Sequence, residues 1–187
     1  MTSDSDAVVC HDPKYEGLVV ERTTREALVG RWQSENGLAC LDQVLERFAK
    51  TAFLNIELKV DGVEDLTLAL LDKFPPEKGC VVSSFRPSVV MELSRAGAKV
   101  PLGLICESHK QLERWKDLPI QALMMERTLA NMALIREIHA AGKQVFVWTV
   151  NGAGDMKGFA EAGVDGIISD DTRLLGKMLG ELSGEEA

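Results

Sequence analysis

Nothing in the sequence approaches the ~18 apolar residues of a membrane-spanning helix. Its opening, "MTSDSDAVVCHD", has neither the basic start nor the apolar middle of a secretory leader. There is no CxxC pair: Cys10, Cys40, Cys80 and Cys106 are scattered. That argues against a zinc site or a disulfide framework and for a reducing, cytoplasmic compartment. Positive charge is in deficit, with 21 Lys and Arg against 29 Asp and Glu, a net charge of -8. A nucleic-acid partner or an anionic membrane surface is excluded on that ground, since their binders carry a basic footprint. An anionic small substrate would need local Lys, Arg or a metal to overcome the global field. Internal repeats, low-complexity tracts and nucleophile-elbow patterns are also absent.

What is present is an alternation. Of 187 residues, 45% are hydrophobic, enough for one domain with a core. Seven short strand-like runs occur in order: "AVVCHD", "FLNIELK", "CVVSSF", "VPLGLIC", "IQALMM", "QVFVWTV" and "VDGIISD". Between most of them lie helical segments, namely "LDQVLERFAK", "EDLTLALLDKF", "PSVVMELSRAGA", "TLANMALIREIHAAGK" and "MKGFAEAG". Gly97, Gly142 and Gly163 stand where three of these helices should stop. Such alternation implies parallel βαβ units. Seven strands with polar carboxyl ends predict an α/β fold of the (β/α)8 barrel type, spanning 1–187 as one domain, in which the carboxyl ends build the active site. The stretch 13–38 is charged, has no clean helical face and reads as an insertion between strands. The tail "LSGEEA" is expected to fray.

Chemistry-bearing residues gather at those carboxyl ends. In "FLNIELK", alternation puts Asn55, Glu57 and Lys59 on one face and Leu54, Ile56 and Leu58 on the other. Glu57 is a candidate oxygen ligand for a hard cation, and Lys59 a candidate for phosphate charge; a plain ion pair is the alternative. His11 is a candidate general acid or base, with Asp12 beside it to orient it or to cap the next segment. Trp148 either lines a pocket or is core. Ser83, Ser84 and Phe85 follow a strand without a helpful His. His139 is expected to be structural, His109 lies near a helix start, and "NGAGDMKG" is a weak candidate for a phosphate loop.

The ordered set "TSDSDAVVCHD", "ERTT", "LDQVLERF", "LNIELK", "SSF", "LGL", "VFVWTVN" and "GVDGIISD" resembles the glycerophosphodiester phosphodiesterase family over nearly the whole chain. The resemblance implies a (β/α)8 barrel with a small insertion after the His-Asp strand. It implies metal-dependent hydrolysis, with Mg²⁺ or Ca²⁺, of a small-molecule glycerophosphodiester to glycerol 3-phosphate and an alcohol, a reaction of lipid metabolism. By motif position it makes His11 the second catalytic histidine, Glu57 a metal-binding carboxylate, Lys59 the lysine beside it and Trp148 a wall of the substrate site. The family's His-Arg-Gly strand and its Glu-x-Asp strand have no counterpart here. Ser5 replaces a usual Gly, and "SDDT" stands where the family has Thr-Asp-x-Pro. A barrel incomplete at its N-terminus is therefore expected, with open edges that invite self-association. The alternative is a non-catalytic barrel that binds a phosphate or a partner.

Overall fold

The computed structural model describes residues 1–29 and 38–183. Residues 30–37, inside the expected insertion, and 184–187, in the tail expected to fray, lie outside the described residues. The chain divides into two compact units, the first comprising Met1–Val82 and Glu92–Val100 and the second Ser83–Met91 and the described residues from Pro101 onward.

In the first unit the run "AVVCHD" does not form the expected strand. It makes a single antiparallel bridge, Val8 to Cys40, flanked by the bonds Val9 N–H to Ala39 O and Leu41 N–H to Ala7 O, both 2.8 Å. The ladder stops there because its partner turns at once into helix α2 (Leu41–Phe48). The insertion is structured. Strands β1 (Lys14–Tyr15) and β2 (Leu18–Val19) form an antiparallel hairpin. Its two-residue loop, Glu16-Gly17, has φ of 47° and 82°, the paired positive values that a tight hairpin turn requires. A 3₁₀ turn (Val20–Arg22) and a short helix, α1 (Arg25–Val29), follow. Val20, Leu28 and Leu38 make a small core with Val8, Cys10 and Leu18 packed against it. Asp4 receives the Arg25 N–H at 3.0 Å. That bond and the Thr2 side chain, the larger cause, hold the Asp4 carboxyl below its usual range.

Helix α2 begins where Cys40 donates its N–H to Gln43 Oε1 at 3.0 Å, satisfying a group that the helix start leaves bare. Strand β3 (Leu54–Glu57) and helix α3 (Glu64–Lys73) follow. Strand β4 (Cys80–Ser84) and helix α4 (Pro87–Arg95) contribute residues to both units.

The second unit continues the alternation: β5 (Leu102–Cys106), the short helix α5 (His109–Leu112) running into a 3₁₀ turn (Glu113–Asp117), and β6 (Ala122–Glu126). Then come α6 (Met132–Ala140), β7 (Gln144–Trp148), α7 (Ala153–Glu161), β8 (Gly166–Ile167) and α8 (Thr172–Ser183). The strands β5 to β8 pair in parallel in chain order, as the βαβ reading predicts. Asn131 starts α6 four residues later than its apolar pattern, because its side chain accepts the N–H groups of Ala133 and Leu134. Gly97, Gly142 and Gly163 have φ of 79°, 71° and 80°, the left-handed values that end a helix at low cost only for glycine.

Strand β7 shows how one strand serves two faces. Val145 and Val147 are fully buried, each contributing about 1.5–3 kcal/mol of burial. Phe146 and Trp148, on the opposite face, are half-buried. Phe146 faces Gly166 in the β7–β8 register, and a Cβ at Gly166 would lie 2.6 Å from Phe146 Cε1. Two buried thiols also belong to this framework. Burial pushes Cys80 up to about 11 and Cys106 up to about 12, so each stays protonated and inert at neutral pH.

Gly166→Ala is expected to lose about 1–3 kcal/mol in urea unfolding, because the Phe146 ring must move. Gly154→Ala on α7, whose Cβ would meet nothing within 4 Å, should be neutral or stabilise by up to about 1 kcal/mol. Alkylation at pH 8 followed by mass spectrometry should leave Cys80 and Cys106 unmodified in the native protein, their thiolate fractions being on the order of a thousandth or less. Both should label once urea exposes them.

Candidate active site

Strand β3 ends at Glu57, and the chain leaves the sheet through Leu58, which is buried, to Lys59, which is exposed. Residues two apart on an extended chain share a face, and here the Lys59 ammonium donates to Glu57 Oε1 at 3.0 Å. The side chains are 39% and 27% exposed respectively. The pair therefore sits at a rim, where water weakens the attraction but leaves the ammonium open to a second acceptor. His11 lies in the same unit, yet its Nδ1 pairs with Asp12 Oδ1 at 3.1 Å and not with Glu57 or Lys59. Its side chain is 92% exposed, and Asp12 is the partner that orients it among the described residues.

Trp148 belongs to the second unit, at the carboxyl end of β7. Its indole Nε1–H donates to Met124 O at 3.2 Å, and its carbonyl accepts the Arg127 N–H at 2.8 Å. Phe85 meets it edge to face, with ring centroids 5.7 Å apart and an interplanar angle of 86°. Just beyond, Asn151 ties the loops after β7 and β8 together. Its Nδ2 donates to Asp170 Oδ2 at 2.8 Å, and its Oδ1 accepts the Asp170 N–H at 3.0 Å and the Ser169 hydroxyl at 3.1 Å.

The remaining candidates have structural work. Ser83 and Ser84 are fully buried, and Ser84 Oγ accepts the Arg86 N–H at 3.1 Å. His139 Nε2 pairs with Asp165 Oδ2 at 2.9 Å. Ser108 caps α5, so His109 opens a helix as expected. "NGAGDMKG" runs straight into α7 with Asp155 in its first turn, an acid where a phosphate would have to sit.

Two residues escaped the sequence reading. Glu126 ends β6, and Arg127 follows it with Nη1 3.4 Å from Asp155 Oδ2. The apolar run "IQALMM" ended the expected strand one residue early. The same signal that marked Glu57, an acid at the end of an apolar run, was there to mark Glu126.

A divalent cation of the Mg²⁺ or Ca²⁺ kind takes about six or more oxygens, several of them carboxylate. Among the described residues no group of three or more His, Cys, Asp or Glu is arranged to hold a metal ion. Glu57 already carries an ammonium. The described residues do not fit a protein-held divalent site. Nor, among them, is any helix long and apolar enough to cross a membrane.

Comparison with known proteins supplies the rest. The chain is 26% identical, over 94% of its length and 81% of the relative's, to a glycerophosphodiester phosphodiesterase of Caldanaerobacter subterraneus subsp. tengcongensis. Among solved structures, a glycerophosphodiester phosphodiesterase from Parabacteroides distasonis superposes with a TM-score of 0.85 at 24% identity, covering 97% of this chain and 81% of that one. A phosphodiesterase of Oleispira antarctica in complex with the product sn-glycerol-3-phosphate gives 0.82 at 19% identity, covering 96% and 81%. These likenesses show the fold, a (β/α)8-type barrel with six of its sheet strands among the described residues. The sequence profile of the glycerophosphoryl diester phosphodiesterase family matches residues 1–174, and the chain belongs to that family.

Proposed function

We propose that this chain hydrolyses glycerophosphodiesters to glycerol 3-phosphate and an alcohol, as one cytoplasmic domain over 1–187 with its insertion at 13–38, in lipid head-group turnover. The observation that carries the reading is the family match over 1–174, joined to a Glu57–Lys59 pair at the carboxyl end of β3. That the Oleispira antarctica protein was solved with sn-glycerol-3-phosphate supports a small-molecule substrate of this class.

In this reading Lys59 donates to the phosphoryl oxygens, where charge builds as the diester is attacked. Glu57 anchors its ammonium. His11 exchanges a proton with the attacking or the departing oxygen, and its present bond to Asp12 sets which ring nitrogen faces outward. Trp148 walls the substrate. The resemblance also gives Glu57 to a Mg²⁺ or Ca²⁺ ion. Among the described residues Glu57 belongs to no group of three or more His, Cys, Asp or Glu able to hold such an ion, so the roles above run through the side chains alone.

A second reading, a non-catalytic barrel that binds a phosphate or a partner, is favoured by two observations. His11 is 92% exposed, and among the described residues no metal-holding group exists. Catalytic groups act as a unit, so a partial set loses orders of magnitude in rate.

Release of glycerol 3-phosphate from glycerophosphocholine, with Mg²⁺ or Ca²⁺ titrated in, decides between them. Turnover that depends on the ion and falls at least a hundredfold in Glu57→Ala supports the enzyme. Equal background in both proteins supports the binding barrel. If the barrel is incomplete at its N-terminus, the first and last strands in the sheet order among the described residues, β3 and β8, are where a second chain would pair. Light scattering should accordingly find dimers or larger species, and a monodisperse monomer would count against self-association.

A further inference from the structure

The first unit buries a carboxylate that the roles above leave unused. Glu64 opens α3 and is only 5% exposed. A carboxylate taken out of water is costly unless bonds replace its hydration. An acid at a helix start gains from the positive end of the macrodipole, but Asp65, the next residue, has the same gain from an exposed position. Stabilising the helix therefore does not account for the burial. What Glu64 has is a partner in the chain ahead of it: its Oε2 accepts the Gly62 N–H at 2.6 Å.

That bond ties down the short segment that carries Lys59. The chain leaves β3 through Leu58 and enters α3 through Val63, and both residues are buried. Between these anchors Lys59, Asp61 and Gly62 are exposed. Gly62 has φ of 87°, and glycine is the residue with most freedom to leave such a conformation. The Glu64 side chain takes that freedom away. Thr67, fully buried one turn into α3, donates its hydroxyl to Val63 O at 2.7 Å. Two buried polar side chains of one helix turn thus hold two consecutive residues of the segment. At its other end the Lys59 ammonium is held by Glu57. All of these residues belong to the first unit.

We propose that Glu64 is a positioning residue, which fixes residues 58–63 through the Gly62 N–H and so sets where the Lys59 ammonium meets a phosphate; the role rests on the phosphate contact given to Lys59 above. Glu64 itself touches no reacting atom. Its effect is to order the segment before the phosphate arrives, so that binding does not have to order it. An ammonium on a loose segment still attracts phosphate. Part of that attraction is then lost to the entropy of stopping the segment.

Two measurements test this. The first, amide hydrogen exchange, reads the bond directly and needs no variant. The Gly62 N–H of the wild type should exchange about tenfold or more slowly than that of an unstructured glycine. Glu64→Ala should remove the protection, and Glu64→Gln, which keeps an acceptor oxygen, should retain it. The second is a double-mutant cycle on the Kd of sn-glycerol 3-phosphate. Lys59→Ala should raise that Kd about tenfold and Glu64→Ala about threefold or more, while Glu64→Gln should stay near the wild type. In the Lys59→Ala background, Glu64→Ala should add less than about twofold, because no ammonium is left to place. A contribution to stability alone would instead leave the two losses multiplying. An unprotected Gly62 N–H in the wild type, multiplying losses, equal losses in the two Glu64 variants, or no binding of sn-glycerol 3-phosphate by the wild type would overturn the proposal. Coupled losses without turnover of glycerophosphocholine would leave Glu64 in its role and remove the phosphodiesterase reading. Turnover with multiplying losses would do the reverse.

Discussion

A parallel strand can meet its neighbour only if the chain first travels back across the sheet, and that return must cover the sheet as it goes. In the second unit this constraint sets everything else. Strands β5 to β8 pair in chain order, so all of them end on the same side. Glu126, Trp148, Asn151 and Asp170 come from three separate strand ends, yet the topology delivers them to one rim. The crossings also explain the burial. Val145 and Val147 are sealed under the returning chain, while Phe146 and Trp148 look the other way and stay half-buried.

The rim is where polar groups are cheap to keep. A carboxylate inside the sheet would lose its water without a partner able to replace it. At a strand end it keeps some water and gains backbone donors from the turn that follows, as Glu126 does from Thr128. Glu57 reaches a similar balance with Lys59. The two sites solve one electrostatic problem differently. The first sets an ammonium against the acid. The second sets the backbone N–H and hydroxyl of Thr128 against it.

Much of this was legible in the residues. The apolar runs located β3 to β8, and Gly97, Gly142 and Gly163 marked helix ends because only glycine takes their backbone angles cheaply. Glu57 and Lys59 were paired by alternation alone. "AVVCHD" misled because strand character depends on a partner, and its partner becomes a helix after one bridge. The hairpin at Glu16-Gly17 was hidden in a charged stretch whose strands are only two residues each, too short for period two to show. Glu126 was missed for a different reason: the apolar run before it was closed at Met125, one residue short of the strand's end.

Asn151 carries a further consequence. It precedes Gly152, and an asparagine followed by glycine is the pair most open to spontaneous loss of its side-chain amide through attack by the next backbone nitrogen. Here that amide is held by Asp170 and Ser169, and those bonds must break before it can swing onto the next backbone nitrogen. Chemical ageing of the protein at this point is thus set by how often the clamp opens. Once it proceeds, a donor becomes a second carboxylate beside Asp170, and the two loops that the amide had joined are pushed apart for good.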